Sequence, residues 1–264
     1  MDGAQGANKV RTQVDAGVGV ITLSDPSTLN AAGLELMEQL ATAFVAMVDD
    51  DSVRAIVITG DGRGFCSGAN LSGGRSTDSG KGPNQALLKV YNPFVTQIRR
   101  SPKPVVAGVN GVAAGVGVSL ALACDLAVAA ESAYFLLAFR RIGLVPDGGA
   151  TWLLPRLVGK ARAMELRLLG EKLPARTAAE WGLINKCVAD GELMEATMAY
   201  ARALADGPAS LGMTRNLVWE ALDAPWHLQL EAEAYAQGHA GRTDDAKEGV
   251  MAFLQKRPAE FRGR

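Results

Sequence analysis

Apolar positions change their period several times along the chain. Val18-Gly-Val-Ile-Thr-Leu23 is a β-branched apolar run ending at Ser24-Asp25-Pro26, which predicts a strand closed by a turn. Leu34, Met37, Leu40, Ala41, Phe44, Val45 and Val48 then recur at the spacing of one helix face. Asn30 stands shortly before them, where it could help cap the helix start. Arg54-Ala-Ile-Val-Ile-Thr59 predicts a short buried strand stopping at Gly60-Asp61-Gly62. Strand, helix, strand implies a parallel sheet with a crossover helix.

From Gly60 to Lys81 the chain is rich in Gly, Ser and Asp and reads as loop. A helix is expected from Ala86 through Arg100, stopped by Ser101-Pro-Lys-Pro104, and Val105-Val-Ala-Gly-Val109 is another buried strand. Val116 to Ala123 is small and apolar all round, the pattern of a helix packed on every side. Leu126–Ala129 and Tyr134–Ala138 read as further strands. After Trp152 helical patterns dominate, over 160–170, 192–205, 210–222, 226–240 and 244–255. The fold class expected is therefore α/β, with a helical last third.

Composition narrows the function classes. The chain has 264 residues, 48% hydrophobic and 21% charged, ordinary values for a globular protein. Lysine plus arginine total 27 against 28 acids, a net charge of -1 that argues against a general nucleic-acid binder. Cys66, Cys124 and Cys187 are odd in number and far apart, which suggests neither zinc nor a disulfide framework and fits a reducing cytoplasm. The N-terminal stretch lacks the basic start and apolar run of a secretory signal. The longest apolar segment, Val112 to Ala123, is far short of the ~20 residues that span a bilayer. The expectation is a soluble, cytoplasmic protein with no membrane partner.

Candidate chemistry gathers in three loops. Gly64-Phe-Cys-Ser-Gly-Ala-Asn-Leu71 follows the second strand, and Asn110-Gly-Val-Ala-Ala-Gly-Val-Gly-Val-Ser119 joins a buried strand to a buried helix. The third, Gly143-Leu-Val-Pro-Asp-Gly-Gly149, sets one carboxylate, Asp147, among apolar and glycine neighbours. In parallel α/β sheets, loops leaving the carboxyl ends of strands meet to form ligand sites. Glycines let the backbone approach a ligand, and a helix N-terminus offers unpaired N–H donors, so two such loops could build an oxyanion hole. Each feature also has a plainer reading. Glycine-rich turns beside strands are often only turns, and Pro-Asp-Gly is ordinary turn chemistry. Gly115-Val-Gly117 lacks the third glycine and the following acid of a dinucleotide loop. His227 and His239 fall near helix ends with no Gly-x-Ser-x-Gly elbow, so a Ser–His–Asp site is not indicated.

Taken together, GFCSGANL, VNGVAAGVGVSLALACDLAVAA and GLVPDGGATWLLPRLVG resemble the crotonase, or enoyl-CoA hydratase/isomerase, family. The likeness runs from Val20-Ile-Thr-Leu and Leu29-Asn30 to Phe253-Leu-Gln-Lys-Arg257. It implies a spiral of ββα units over residues 1–200 and a C-terminal helical region, 201–264, that builds homotrimers, often paired into hexamers. An acyl-CoA thioester is implied as substrate, with coenzyme A part of it and no separate cofactor or metal. The resemblance assigns the two oxyanion N–H groups to Ala69 and Val116. Ala69, Asn70, Leu71 and Ser72 would border coenzyme A, and Phe253 and Lys256 would approach it from the C-terminal segment, from a neighbouring subunit in some members.

The departures set the expected activity. The two glutamates with which hydratases of the family activate water are replaced by Ser119 and Phe139. Neither can act as a carboxylate base, so water addition is expected to be poor. The related isomerases carry the acid-base on the aspartate of the Pro-Asp-Gly loop, here Asp147. An apolar surround of Phe139, Leu137, Ile142 and Leu144 would raise its proton affinity toward the working range. The expectation is an isomerase that shifts a 3,4 double bond to 2,3, or opens a phenylacetyl-CoA ring epoxide to an oxepin. The alternatives are a hydratase using a displaced acid, with Glu131 the nearest candidate, or a non-catalytic acyl-CoA binder.

Overall fold

The computed structural model describes residues 8–70 and 83–264. Leu71, Ser72 and the rest of the loop up to Pro83 expected to shape the acyl end therefore lie outside the described residues.

Between residues 55 and 136 successive strands fall alternately into two sheets. The larger has the order β1 (Val10–Asp15), β2 (Val18–Leu23), β3 (Ala55–Gly60), β5 (Val105–Val109), β7 (Leu126–Ala130), β10 (Lys186–Val188). All its neighbours are parallel except β1 and β2, which form an antiparallel hairpin. The smaller sheet has the order β4 (Gly64–Cys66), β6 (Val112–Ala114), β8 (Tyr134–Leu136), β9 (Lys172–Pro174), with only the last pair antiparallel. Thus β3 continues into β4, β5 into β6 and β7 into β8. Each turn of the chain lays one strand in each sheet before a helix returns it, the ββα spiral expected.

Both faces of the large sheet are covered, as its nearly unbroken apolar strands require. Val18, Val20, Ala55, Val57 and Val106 face Met198, Ala201 and Ala205 of α7 (Leu193–Ala205). The alternate positions, among them Ile21, Leu23, Ile56, Ile58, Val105 and Val109, join the main core with Leu36, Met37, Leu40 and Phe44 of α1 (Leu34–Asp49). Every residue of α4 (Val116–Ala123) is buried, which explains its lack of a polar face. The C-terminal helices are α8 (Ser210–Ala221), α9 (Trp226–Ala240) and α10 (Asp244–Gln255). The expected boundary at residue 200 falls inside α7.

Several local expectations need correction. Asn30 does not cap α1, whose N-cap is Gly33. It is fully buried and accepts from the Asp25 N–H while donating to the carbonyls of Asp61 and Gly64. The stretch expected to be loop after Gly60 contains β4. The helix expected from Ala86 starts earlier, as α2 (Pro83–Ala86), a π-helical turn Leu87–Tyr91 and α3 (Asn92–Arg99). Helical pattern after Trp152 begins at α5 (Ala150–Leu169) and is interrupted by Gly159, by β9, and by β10 beyond α6 (Ala175–Glu180). These strands are only three residues long, too short for a period to register. Among the described residues no helix is long and apolar enough to cross a membrane.

Candidate active site

The loop after β4 and the loop between β6 and α4 touch. Each turns on a glycine in the left-handed half of backbone space, Gly68 at φ +99° and Gly115 at φ +52°. A Cβ on Gly115 would stand 3.8 Å from the Gly68 Cα, so the loops are in van der Waals contact, and one on Gly68 would stand only 3.0 Å from the Ala114 carbonyl oxygen, leaving it little room. The next residues in the chain are Ala69 and Val116. Val116 opens α4, so its N–H has no partner within the helix. Among the described backbone pairs neither the Ala69 nor the Val116 N–H donates to another residue. Oxyanion holes are built from backbone N–H groups of this kind when both point at one oxygen.

Beneath the first loop lies a closely bonded segment. Ser67 donates its N–H to the Leu29 carbonyl and its hydroxyl to that of Thr28, at 3.0 and 2.8 Å. Ala32 donates its N–H to the Gly68 carbonyl at 2.7 Å and pairs with Ala69 as an isolated parallel bridge. Asn110 accepts from the Gly60 N–H and donates to the carbonyls of Gly62 and Gly64. Such side-chain clasps hold irregular backbone that no ladder supports.

The Asp147 turn also packs on α4. A Cβ on Gly148 would stand 3.3 Å from Val116 Cγ2, so the residue after the acid lies against the residue that carries one amide. Ser119, buried inside α4, donates its hydroxyl to the Asp147 carbonyl at 2.9 Å. The Asp147 side chain is half-buried, and its Oδ1 is buried with no hydrogen-bond partner among the described residues. Burial pushes this carboxyl above the ordinary carboxylate value, against a smaller lowering by its own backbone N–H. Of the four apolar residues expected around it, three are covered to some degree and one is exposed. Phe139 and Leu137 are buried and Leu144 half-buried, but Ile142 is 46% exposed because Gly143 turns the chain outward there.

Other expected residues are placed as follows. Asn70 is exposed beside Ala69. Phe139 lines the mouth, its Cζ 3.7 Å from where a Gly115 Cβ would be. Phe253 is 83% exposed near the end of α10 and Lys256 lies just beyond it, and no described contact joins either to the three loops. Glu131 is bound to Arg176 on an exposed edge. His227 and His239 are exposed on α9. Sequence reasoning missed Tyr91, which is buried and donates its hydroxyl to the Ala32 carbonyl at 2.6 Å. It also missed that Cys66 is sealed in the core under the first loop, where burial pushes its thiol up to about 11.

The two-sheet spiral brings the Gly68 and Gly115 loops together and packs the Asp147 turn against Val116, and the chain belongs to the enoyl-CoA hydratase/isomerase family, whose sequence model matches residues 13–264. It is similar to the 1,2-epoxyphenylacetyl-CoA isomerase of Escherichia coli (strain K12), 42% identical over 97% of this chain and 98% of that protein. A probable enoyl-CoA hydratase of Rhodobacter capsulatus is 43% identical over 97% of this chain and 98% of its own length. The crystal structure of a putative enoyl-CoA hydratase/isomerase from Mycobacterium abscessus superposes with a TM-score of 0.91 at 35% identity, covering 97% of this chain and all of the other. Members of the family are enzymes acting on acyl-CoA substrates.

Proposed function

We propose that the protein is an acyl-CoA isomerase in which Asp147 is the acid-base and the Ala69 and Val116 amides form the oxyanion hole. The observation that carries this reading is the buried carboxylate oxygen of Asp147, without a partner among the described residues, on a turn packed against Val116; the family resemblance adds that Ser119 and Phe139 stand where hydratases carry their glutamates. The thioester oxygen accepts from both amides. Asp147 takes a proton from C2 of a 3-enoyl-CoA, and the electron pair delocalises onto that oxygen as an enolate. The protonated acid then returns the proton to C4, leaving the double bond at C2–C3 and Asp147 ionised again. One carboxylate serves both steps when its pKa lies near the working pH. The same hole and acid would assist opening of a ring 1,2-epoxide of phenylacetyl-CoA to an oxepin, the substrate class suggested by the similarity to the Escherichia coli isomerase. Coenzyme A enters as part of the substrate, and no separate cofactor is invoked.

The test is Asp147→Asn assayed on 3-enoyl-CoA and ring-epoxide substrates. A loss of at least about 100-fold in kcat is expected. Turnover within about threefold of wild type overturns the acid-base role. Hydration of 2-enoyl-CoA at rates rivalling isomerisation would favour the hydratase reading, and tight acyl-CoA binding without any turnover would favour a binding protein. The exposed Trp226 and Tyr235 of α9 and Phe253 and Leu254 of α10 support a homotrimeric or hexameric assembly. Analytical ultracentrifugation reads it directly.

A further inference from the structure

Tyr91 is tied to neither of the two roles above, yet it reaches the loop that carries one of them. It closes the π-helical turn Leu87–Tyr91 set between α2 and α3. Such turns insert an extra residue into a helix and are common at functional sites, because they re-aim a side chain. Here the aimed group is a buried hydroxyl, which donates to the Ala32 carbonyl at 2.6 Å across 59 residues of chain.

What Ala32 holds makes the contact matter. Its N–H is bonded to the Gly68 carbonyl at 2.7 Å, and it bridges Ala69. The path from the Tyr91 hydroxyl to the Ala69 amide therefore runs through a single paired residue. The segment before Ala32 is unusual backbone, with Leu29 and Asn30 both left-handed at φ 55° and 57°. That segment has no ladder of its own, so its position depends on tertiary bonds. Tyr91 also lies close enough to the acid to feel it: its hydroxyl is pushed up mainly by burial, and further by Cys66 and Asp147.

We propose that Tyr91 is a positioning residue for the oxyanion hole, its hydroxyl fixing, through the Ala32 carbonyl, the loop that presents the Ala69 N–H. The inference rests on the oxyanion assignment made above. A plain alternative is that Tyr91 is a core aromatic whose hydroxyl is merely satisfied. The two differ in what happens when only the hydroxyl is removed.

Tyr91→Phe keeps the ring and deletes the bond. Donors misplaced by fractions of an ångström stabilise the transition state less while still binding the ground state, so kcat should fall about tenfold with KM within about threefold. The direct readout is the thioester C=O stretch of bound 2-hexenoyl-CoA in infrared difference spectra. The wild type should shift it to lower frequency than in water, and Tyr91→Phe should lose much of that shift. 3-Fluorotyrosine at position 91, which retains a hydroxyl, should restore both kcat and the shift. A Phe variant with wild-type kcat and an unchanged carbonyl band overturns the proposal. So does a variant that loses activity only in step with its melting temperature while the band stays put. Asp147→Asn separates this from the acid-base reading, because it should abolish isomerisation yet leave the carbonyl shift intact. Full turnover by Asp147→Asn would remove the acid assignment without touching the Tyr91 result.

Discussion

The Ser119 hydroxyl donates to the Asp147 carbonyl, and behind that bond the Gly148 backbone lies so close that a Cβ there would stand 2.8 Å from the Ser119 Cβ. Ser119 therefore holds the Asp147 turn against α4. Ser119→Ala leaves the Asp147 carbonyl with only the Ala150 N–H. Loss of one buried bond should cost about 1 kcal/mol of stability and lower kcat about three- to tenfold through the looser turn. Ser119→Glu has no space against Gly148 and should destabilise by about 1–3 kcal/mol without creating hydratase activity. Thermal melts and a 2-enoyl-CoA hydration assay check both.

Asp147 gives a signed pH prediction. Its carboxyl titrates above the ordinary value of 3.8 because of burial. The base is the ionised form, so kcat/KM should fall in acid with a midpoint above 3.8. For stability the sign is the opposite of that of a salt-bridged acid. A raised folded pKa means that the folded state holds its proton more tightly, so the stabilisation is present below the unfolded pKa and is lost as pH rises through the folded one. Asp147→Asn should therefore melt higher than wild type at neutral pH, with the gap closing in acid. Equal melting temperatures across the range would contradict this.

Arg215 is the bolt between α8 and the spiral. Its Nε donates to Asp125 at 2.6 Å, and its remaining nitrogens donate to the carbonyls of Ile98 and Arg99 at the C-terminal end of α3 and of Ser101 just past it. Asp125 in turn accepts from the Val105 N–H and the Trp219 indole. Arg215→Met removes the cation paired with a largely buried carboxylate and the donor to the Arg99 and Ser101 carbonyls, and should cost about 3–5 kcal/mol. Arg215→Lys should recover only part of it, since one ammonium cannot span the fork. Urea titration measures both.

Thiol reactivity should rank by burial. Cys66 and Cys124 are buried, and burial pushes both thiols up, Cys66 to about 11. Cys187 is only partly covered, and its smaller rise is opposed by Arg176. Iodoacetamide at pH 8 should label Cys187 first in the native protein and the other two only on unfolding. Peptide mass spectrometry would show any early label at Cys66, which would mean that the loop above it opens.

Legibility followed the length and period of each element. α1, with its helical stripe, and β2, β3 and β5, with their β-branched runs, could be placed to within a residue or two. β4, β9 and β10 could not, because three residues carry no period and their strand character comes from a neighbour's free edge. β1 was missed because Val10–Asp15 is mostly polar and exposed, held only by its hairpin partner. Asn30 looked like a helix cap because local spacing cannot show a carbonyl 34 residues away.

The site divides the same way. Glycines before Ala69 and Val116, and one acid in a Pro-Asp-Gly turn, are local features that a chain displays without folding. Backbone conformation at a glycine and the chemistry of a carboxylate belong to the residue itself, so the sequence alone, through these motifs, determined the family, and the resemblance implied that Ser119 and Phe139 replace both hydratase glutamates. Tertiary structure decided that Gly68 touches Gly115, that Gly148 lies on Val116, that Ile142 faces out and that Tyr91 reaches Ala32. The three contacts join residues 32 to 59 apart in the chain. Such contacts are set by how two sheets and their helices pack, a property of the whole core that no short stretch encodes.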